Sequence, residues 1–206
     1  MLRVWGRVNS VNVKKVLWCI GELDLPFKRL EAGMEHGVVG TPRYQAMNPN
    51  SRVPTIDDDG FVLWESNAIV RYLSLKYGAG ELCPMEMHER ADADRWMDWC
   101  STQLAGTFRE VFWGMVRTVP EKRNKSLIER NRVATAATLD IADQALARRP
   151  YLAGDQFTMG DIPLGCYVHL WMSMPIARPE HPNLTAWYQR LRARPAFNAG
   201  VNTPLT

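Results

Sequence analysis

The sequence predicts an α/β N-terminal unit followed by an all-helical C-terminal unit. The chain opens with an alternating strand at Leu2–Trp5, a helical pattern at Val11–Leu23 and a second strand at Phe27–Leu30. Further on, Val53–Trp64 has the pattern of a β-hairpin, and a helical pattern follows it directly. Beyond Glu86 no strand pattern occurs. Strands gathered in one part of the chain and helices in the other indicate two differently built units.

The first half of the N-terminal unit is a β-α-β segment followed by a short helix. A right-handed crossover between Leu2–Trp5 and Phe27–Leu30 makes a parallel pair the expected arrangement. Thr41-Pro42 begins the short helix with proline at its first position, and this helix ends before Asn48.

The second half of this unit is a hairpin with a helix behind it. Val53–Ile56 is the first strand, Asp57–Gly60 the turn and Phe61–Trp64 the return strand, because Asp-Gly supplies the positive φ values that a tight hairpin needs. Glu65-Ser66-Asn67 then begins a helix that Gly78 closes. The order βαβ-α-ββα over residues 1 to 78 is that of a thioredoxin-like domain.

Residues 79 to 86 form the predicted linker, and residues 87 to 206 the predicted all-helical domain. Thr158–Asp161 is a variant capping box with aspartate in place of the usual glutamate or glutamine, so we interpret Asp161 as structural. The predicted helices are His88–Val116, Lys125–Arg148, one from the capping box to about Ser173, one after Pro182-Asn183 and a short one from Arg194.

Composition excludes several classes of protein. The 206 residues carry 25 basic and 22 acidic side chains, too balanced for a nucleic-acid-binding protein. No apolar run approaches 18 residues, so no membrane span is expected, and Met1–Gly6 is a strand rather than a signal peptide. The four cysteines lack a CxxC pair or metal-ligand spacing. We expect reduced thiols, a cytoplasmic protein and no metal.

The hairpin and its helix carry groups that suit a peptide with an α-amino acid end. If the Val53-Pro54 bond is cis, the backbone of Val53 is free to pair with an extended peptide. Ser66 has the position of an N-cap, and the helix N-terminus that it begins attracts a carboxylate. Glu65 beside it suits an ammonium group. The alternative interpretation is an ordinary hairpin followed by a capped helix.

This combination resembles the glutathione S-transferase superfamily. The matching residues are Arg52-Val53-Pro54, Glu65–Ile69 and Arg71-Tyr72-Leu73. The resemblance implies that Val53 pairs with the cysteinyl backbone of glutathione, with Pro54 cis, and that Glu65 and Ser66 hold the γ-glutamyl end. It implies Arg52 for the glycine end, with His36 and Asn48 as weaker candidates. It further implies glutathione as co-substrate, a small hydrophobic electrophile as second substrate, and a homodimer.

The resemblance also directs attention to the loop after the first strand, where members carry the residue that activates the thiol. That residue is tyrosine, serine, cysteine or asparagine in different branches. Tyrosine is excluded because Tyr44 is the first one, and Cys19 lies too far into the helix. Ser10 and Asn12 remain, with Ser10 slightly preferred. Both residue types also favour helix N-termini, so simple capping is the alternative.

Three functions remain open from the sequence. The first is conjugation of the glutathione thiolate to an electrophile. The second is a glutathione-dependent disulfide or peroxide reductase, favoured if Asn12 is the key donor, and the third is a non-catalytic glutathione-binding or interaction module. For an electrophile pocket the candidates are Trp99, Gln103, Phe108 and Trp113, although plain helix-bundle core is the preferred interpretation of these residues.

Overall fold

A computed structural model describes all 206 residues, and its single sheet lies entirely in the N-terminal part of the chain. The strands are β1 (Leu2–Trp5), β2 (Phe27–Leu30), β3 (Thr55–Asp58) and β4 (Phe61–Trp64), in the order β2-β1-β3-β4. Strand β1 pairs in parallel with β2, with Leu2 opposite Phe27, and antiparallel with β3, with Val4 opposite Ile56. The parallel pair expected from the β-α-β segment is therefore present.

The first strand of the hairpin is shifted by two residues from its predicted position, whereas the return strand has its predicted bounds. Strand β3 begins at Thr55 rather than Val53, and it continues through Asp57 and Asp58, which pair with Val62 and Phe61. The turn is reduced to Asp59-Gly60, with φ of 51° and 96°. Two positive φ values between paired strands match the primed turns that favour Asp-Gly.

The helices of the N-terminal part pack against this sheet. They are α1 (Val11–Glu22), α2 (Pro42–Met47) and α3 (Ser66–Tyr77). Thr41 caps α2 by accepting a hydrogen bond from the backbone N–H of Tyr44 at 3.3 Å. The N-cap of α3 is Glu65, whereas the sequence predicts Ser66 at this position. Ser66 is instead the first helical residue, since its side chain turns to another partner described below.

The C-terminal part contains no strand of the sheet and six α-helices. These are α4 (Met87–Trp99), α5 (Ala105–Phe112), α6 (Lys125–Leu146), α7 (Asp161–Ser173), α8 (Pro182–Arg192) and α9 (Pro195–Gly200). The predicted single helix His88–Val116 is a longer helical rod, which we call the α4–α5 rod. Its two α-helices alternate with π-helical segments at Cys100–Leu104 and Trp113–Arg117. Such segments widen the helix locally and change which side chains face a neighbour.

One hydrophobic core runs through both parts of the chain, because α1 is buried between the sheet and the C-terminal helices. Trp18 of α1 is fully buried and meets Phe197 of α9 edge to face, with ring centroids 4.9 Å apart. A β-carbon at Gly165 of α7 would lie 2.6 Å from the Trp18 ring. This close approach requires glycine, so helix α7 and helix α1 are held in one relative position.

Asp161 anchors the start of α7. Its carboxylate accepts hydrogen bonds from the backbone N–H of Thr158 at 3.0 Å and of Leu152 at 3.0 Å, and from the Trp187 indole at 2.8 Å. Burial nevertheless raises the pKa of Asp161 to about 6. The carboxylate thus ties the loop before α7 to α8.

All four cysteines carry free, buried thiols. None of the helices is both long enough and apolar enough to cross a bilayer.

Candidate active site

A cleft of about 480 Å³ lies between the loops of the N-terminal part and the α4–α5 rod. Its first wall comes from the loop after β1, the start of α1 and the loop before β3. Its second wall comes from α5, the π-helical segment after it, and α7. The first wall includes Arg7, Asn9, Ser10, Asn12, Arg52 and Val53, and the second includes Phe108, Arg109, Phe112, Trp113, Arg117 and Tyr167.

Hydrogen bonds from two side chains hold the loop before β3 in place. The Tyr44 hydroxyl donates to the carbonyl of Arg52 at 2.7 Å, and the Asn48 side-chain amide donates to the same carbonyl at 2.9 Å. The Asn48 amide also donates to the hydroxyl of Thr55 at 3.0 Å. Asn48 is therefore buried as an anchor of the loop. The Val53-Pro54 peptide bond is cis.

Ser10 and Asn12 both line the cleft, at the beginning of α1. Ser10 occupies the N-cap position, yet its hydroxyl accepts no capping hydrogen bond. The side-chain oxygen of Asn12 accepts a hydrogen bond of 3.3 Å from the hydroxyl of Ser66. Simple capping thus explains neither side chain.

Glu65, Ser66 and Pro54 do not line the cleft itself. Pro54 and Ser66 are buried, and Ser66 reaches the cleft only through its contact with Asn12. Glu65 is exposed and has φ of 72° and ψ of 112°, outside the regions that L-residues favour. A non-glycine residue in such a conformation typically costs about 1–3 kcal/mol and is often found at a binding site.

A buried lysine, unforeseen in the sequence, lies beneath this region. Lys15 is only 2% exposed, and its ammonium group is 3.5 Å from the Ser66 hydroxyl and 3.5 Å from the Asn67 side-chain oxygen. It also lies 5.0 Å from the centre of the Tyr167 ring. Burial lowers the pKa of Lys15. A second buried amine, Lys14, points the other way and donates to the carbonyl of Val201 at 2.7 Å.

The second wall differs from its sequence prediction. Of the four candidates, Phe108 and Trp113 line the cleft, whereas Trp99 packs on Trp96 with ring centroids 5.1 Å apart and Gln103 is exposed outside the cleft. The π-helical segments change the register, so a regular helix predicts the wrong residues. Sequence reasoning missed Arg7, Arg109, Arg117, Phe112 and Tyr167, and only the alternation of arginine and aromatic residues at 108–117 hinted at them.

Comparison with known proteins gives a consistent result. The sequence-family model of the glutathione S-transferase N-terminal domain matches residues 1–74, and the family model of the C-terminal domain matches residues 109–195. Glutathione S-transferase GstB of Escherichia coli (strain K12) is 39% identical over 208 residues, which cover 100% of each chain. Glutathione S-transferase 3 of Zea mays is 30% identical and covers 97% of this chain and 93% of its own.

Among solved structures, the chain is similar to a theta-class glutathione S-transferase from Xanthomonas axonopodis pv. citri with glutathione bound. The TM-score is 0.97 at 50% identity, covering 100% of this chain and 99% of that chain. Glutathione transferase F7 from Populus trichocarpa has a TM-score of 0.89 at 26% identity, with 98% of both chains covered. A thioredoxin-like domain, an all-helical domain and matches of this extent identify the chain as a member of the glutathione S-transferase family.

Proposed function

We propose that this protein binds glutathione in the cleft, stabilises its thiolate and transfers it to a small electrophile. The observation that carries the proposal is the composition of the two walls. Hydrogen-bond donors at the start of α1 face a largely aromatic wall on the α4–α5 rod, which also carries Arg109 and Arg117, across a cleft of about 480 Å³. A nucleophile held on the first wall would therefore meet an electrophile bound on the second.

The residues around the first wall suit the parts of glutathione. Val53 supplies a backbone N–H and C=O for the cysteinyl residue, and Arg52, exposed at the cleft, supplies a cation for the glycine carboxylate. For the γ-glutamyl end, Glu65 offers a carboxylate to the ammonium group. The backbone N–H of Ser66 and the other free N–H groups at the start of α3 offer donors to the carboxylate.

The proposed chemistry begins with loss of the thiol proton to solvent. A free thiol has a pKa of about 8.5, and lowering it by about two units requires about 2.7 kcal/mol of preference for the anion. The Ser10 hydroxyl or the Asn12 amide, together with the N-terminus of α1, is of the right size for this task. The thiolate electron pair then forms a bond to the electrophilic carbon, and the leaving group departs with its own pair.

The decisive experiment is the rate of glutathione conjugation to 1-chloro-2,4-dinitrobenzene. We expect a rate well above the uncatalysed one, saturable in glutathione. Binding of glutathione without turnover would favour the non-catalytic module. Turnover of a mixed disulfide such as glutathionylated mercaptoethanol, without conjugation, would favour the reductase.

The assembly and location proposed from the family resemblance are a two-fold homodimer in the cytoplasm. Light scattering of the purified protein tests the first of these. A mass near 23.5 kDa would mean a monomer, and twice that value a dimer.

A further inference from the structure

The lining of the cleft is strongly basic although the whole chain is nearly neutral. Four arginines line it, namely Arg7, Arg52, Arg109 and Arg117, and no aspartate or glutamate does. The complete sequence, in contrast, has a formal net charge of only +3. None of these four guanidinium groups forms an ion pair or a hydrogen bond within the protein. The positive charge is therefore concentrated in the cleft and available to a ligand.

Two of the guanidinium groups repel each other. Burial lowers the pKa of Arg7, and the like charge of Arg117, which lines the same cleft, lowers it further. The Nε of Arg7 is buried and has no hydrogen-bond partner. Glu35 is the acid whose charge interacts with both arginines. It is exposed, and its carboxylate oxygen lies 3.4 Å from the Nε2 of His36. An anionic ligand would accept a hydrogen bond from the Nε–H of Arg7. It would also offset the repulsion between the guanidinium groups of Arg7 and Arg117.

The arginines of the rod are held against aromatic rings. The guanidinium of Arg109 lies 5.7 Å from the ring of Trp113, and that of Arg117 lies 5.7 Å from the ring of Phe112. Aromatic faces and cations thus alternate along the wall that faces the first loop. A ligand with a flat or apolar body and a negative group would match both features.

Glutathione does not account for all of these charges. Under the proposed function, its glycine carboxylate takes Arg52 and its γ-glutamyl end lies at Glu65 and Ser66. Arg7, Arg109 and Arg117 then remain for the second substrate. A thiolate and an anionic electrophile repel each other in water, and three cations at the meeting point offset that repulsion.

We propose that the electrophile of this protein is anionic: a small molecule with a carboxylate on an apolar or aromatic body, bound through Arg7, Arg109 and Arg117. This inference rests on the proposed conjugating function and names the substrate class of the same cleft. In the reaction the thiolate forms the new carbon–sulfur bond and the leaving group departs as an anion. The carboxylate takes no part in bond formation and serves only for recognition.

The test uses two probes of the same shape that differ in charge. These are 4-chloro-3-nitrobenzoate and 4-chloro-3-nitrobenzamide, both of which lose chloride to the glutathione thiolate. For each probe, kcat/KM is divided by the uncatalysed second-order rate constant, which removes the difference in intrinsic reactivity. We expect this acceleration to be roughly tenfold larger for the benzoate, equivalent to about 1.4 kcal/mol. Raising the salt concentration should lower the benzoate value and leave the benzamide value nearly unchanged.

Variants then assign the charge preference to residues. Arg109→Gln and Arg117→Gln should each reduce the preference for the benzoate, and Arg117→Glu should reverse it. The matched control is Arg95→Gln, because Arg95 is on the same rod and stacks on Trp96 at 5.9 Å but lies outside the cleft. This control should keep the wild-type preference. Glutathione affinity, measured by calorimetry, should stay the same in all of these variants.

The outcomes separate the two proposals. If neither probe nor 1-chloro-2,4-dinitrobenzene is conjugated, the proposed function fails. If 1-chloro-2,4-dinitrobenzene is conjugated but neither probe is, the conjugating function stands and the anionic substrate class is overturned. If both are accelerated equally and the variants change nothing, the conjugating function stands and the anionic substrate class is overturned. If the variants lose glutathione affinity and act on both probes equally, the arginines serve glutathione and the inference is again overturned.

Discussion

The hydroxyl of Ser66 donates a hydrogen bond of 3.3 Å to the side-chain oxygen of Asn12. This contact joins the first turn of α3 to the first turn of α1, so that two helix N-termini lie side by side. Each N-terminus carries a partial positive charge, and both would favour an anion between them. With its oxygen occupied, the Asn12 amide has only its nitrogen left to donate toward the cleft.

The first prediction concerns the thiol donor. Ser10→Ala or Asn12→Ala, whichever removes the donor, should raise the pKa of the bound glutathione thiol by about one unit, if about 1.4 kcal/mol is lost. The rate at neutral pH should fall and partly recover at high pH. Thiolate absorbance of the glutathione complex, followed against pH, gives this pKa directly.

Two further variants sharpen this comparison. If Asn12 is the donor, Ser66→Ala should shift the thiol pKa in the same direction by less, because it frees the Asn12 side chain without removing it. Asn9→Ala is the control, since Asn9 lines the cleft but donates to Thr206 at 2.7 Å. No shift in either Ser10→Ala or Asn12→Ala would assign the role to backbone N–H groups of α1.

The second prediction concerns Glu65. Glu65→Gln keeps the length of the side chain and removes the charge proposed to meet the ammonium group of glutathione. Because Glu65 is exposed, we expect a loss of about 1–2 kcal/mol in binding, less than for a buried pair. Calorimetric titration measures it, with the exposed Glu180→Gln as control. Unchanged affinity in a folded Glu65→Gln protein would refute the assignment.

The third prediction concerns Asp161. Asp161→Ala leaves the donors of Thr158, Leu152 and Trp187 without their acceptor. We expect a loss of about 3–5 kcal/mol in the free energy of unfolding at neutral pH, with little change in activity per folded molecule. Asp155 is exposed and lies just before the capping box, so Asp155→Ala should leave the free energy of unfolding almost unchanged. Lost activity at an unchanged melting temperature would reverse the structural interpretation.

The same residue gives a pH dependence of defined sign. Its pKa is about 6 in the folded protein against 3.8 as the ordinary value, so the folded state holds its proton more tightly. The stabilisation that comes from this raised pKa is complete below pH 3.8 and is lost as the pH rises through about 6. The stability difference between wild type and Asp161→Ala should therefore shrink from acid toward neutral pH. Denaturant titrations at several pH values between these limits measure this stability difference. A difference that stays constant with pH would contradict the prediction.

The fourth prediction concerns Lys15. Burial lowers its pKa, so the folded state is penalised for carrying this charge below the folded pKa, and the penalty is relieved as the pH rises toward 10.5. Cys100 and Cys166, Tyr167 and Glu65 are the titratable groups that face it. Lys15→Met should raise the free energy of unfolding by about 1–2 kcal/mol at pH 7, with a smaller gain at pH 10. Thermal and urea unfolding measure both.

Lys14→Met is the matched comparison for that experiment. Lys14 is equally buried on the same helix, but its ammonium donates to Val201 and to Thr203 in the C-terminal segment. Its replacement by methionine should gain less stability than that of Lys15, because two good hydrogen bonds are lost. A destabilised Lys15→Met protein would mean that the long contacts to Ser66 and Asn67 are essential.

Local patterns in the sequence were sufficient for most of the fold. The strands Leu2–Trp5, Phe27–Leu30 and Phe61–Trp64 were predicted at their observed bounds, and the Asp-Gly turn was located correctly. The hairpin start was wrong because Val53 and Pro54 belong to a loop held by Tyr44 and Asn48, a contact that alternation cannot reveal. Ser10, Asn12, Arg52 and Val53 do come together at one cleft, and their chemical roles stay predictions.

The sequence by itself determined the order of elements, the two-part architecture and the motif that resembles a glutathione site. These depend on residues near one another along the chain, whose backbone preferences and periodicity are visible in the letters. Only the tertiary structure decided that Arg7 and Arg117 line the same cleft, that Lys15 is buried beneath Ser66, and which aromatic residues of the rod face the cleft. The physical reason is that such meetings depend on how α1, α3 and a rod with π-helical segments pack across long sequence separations.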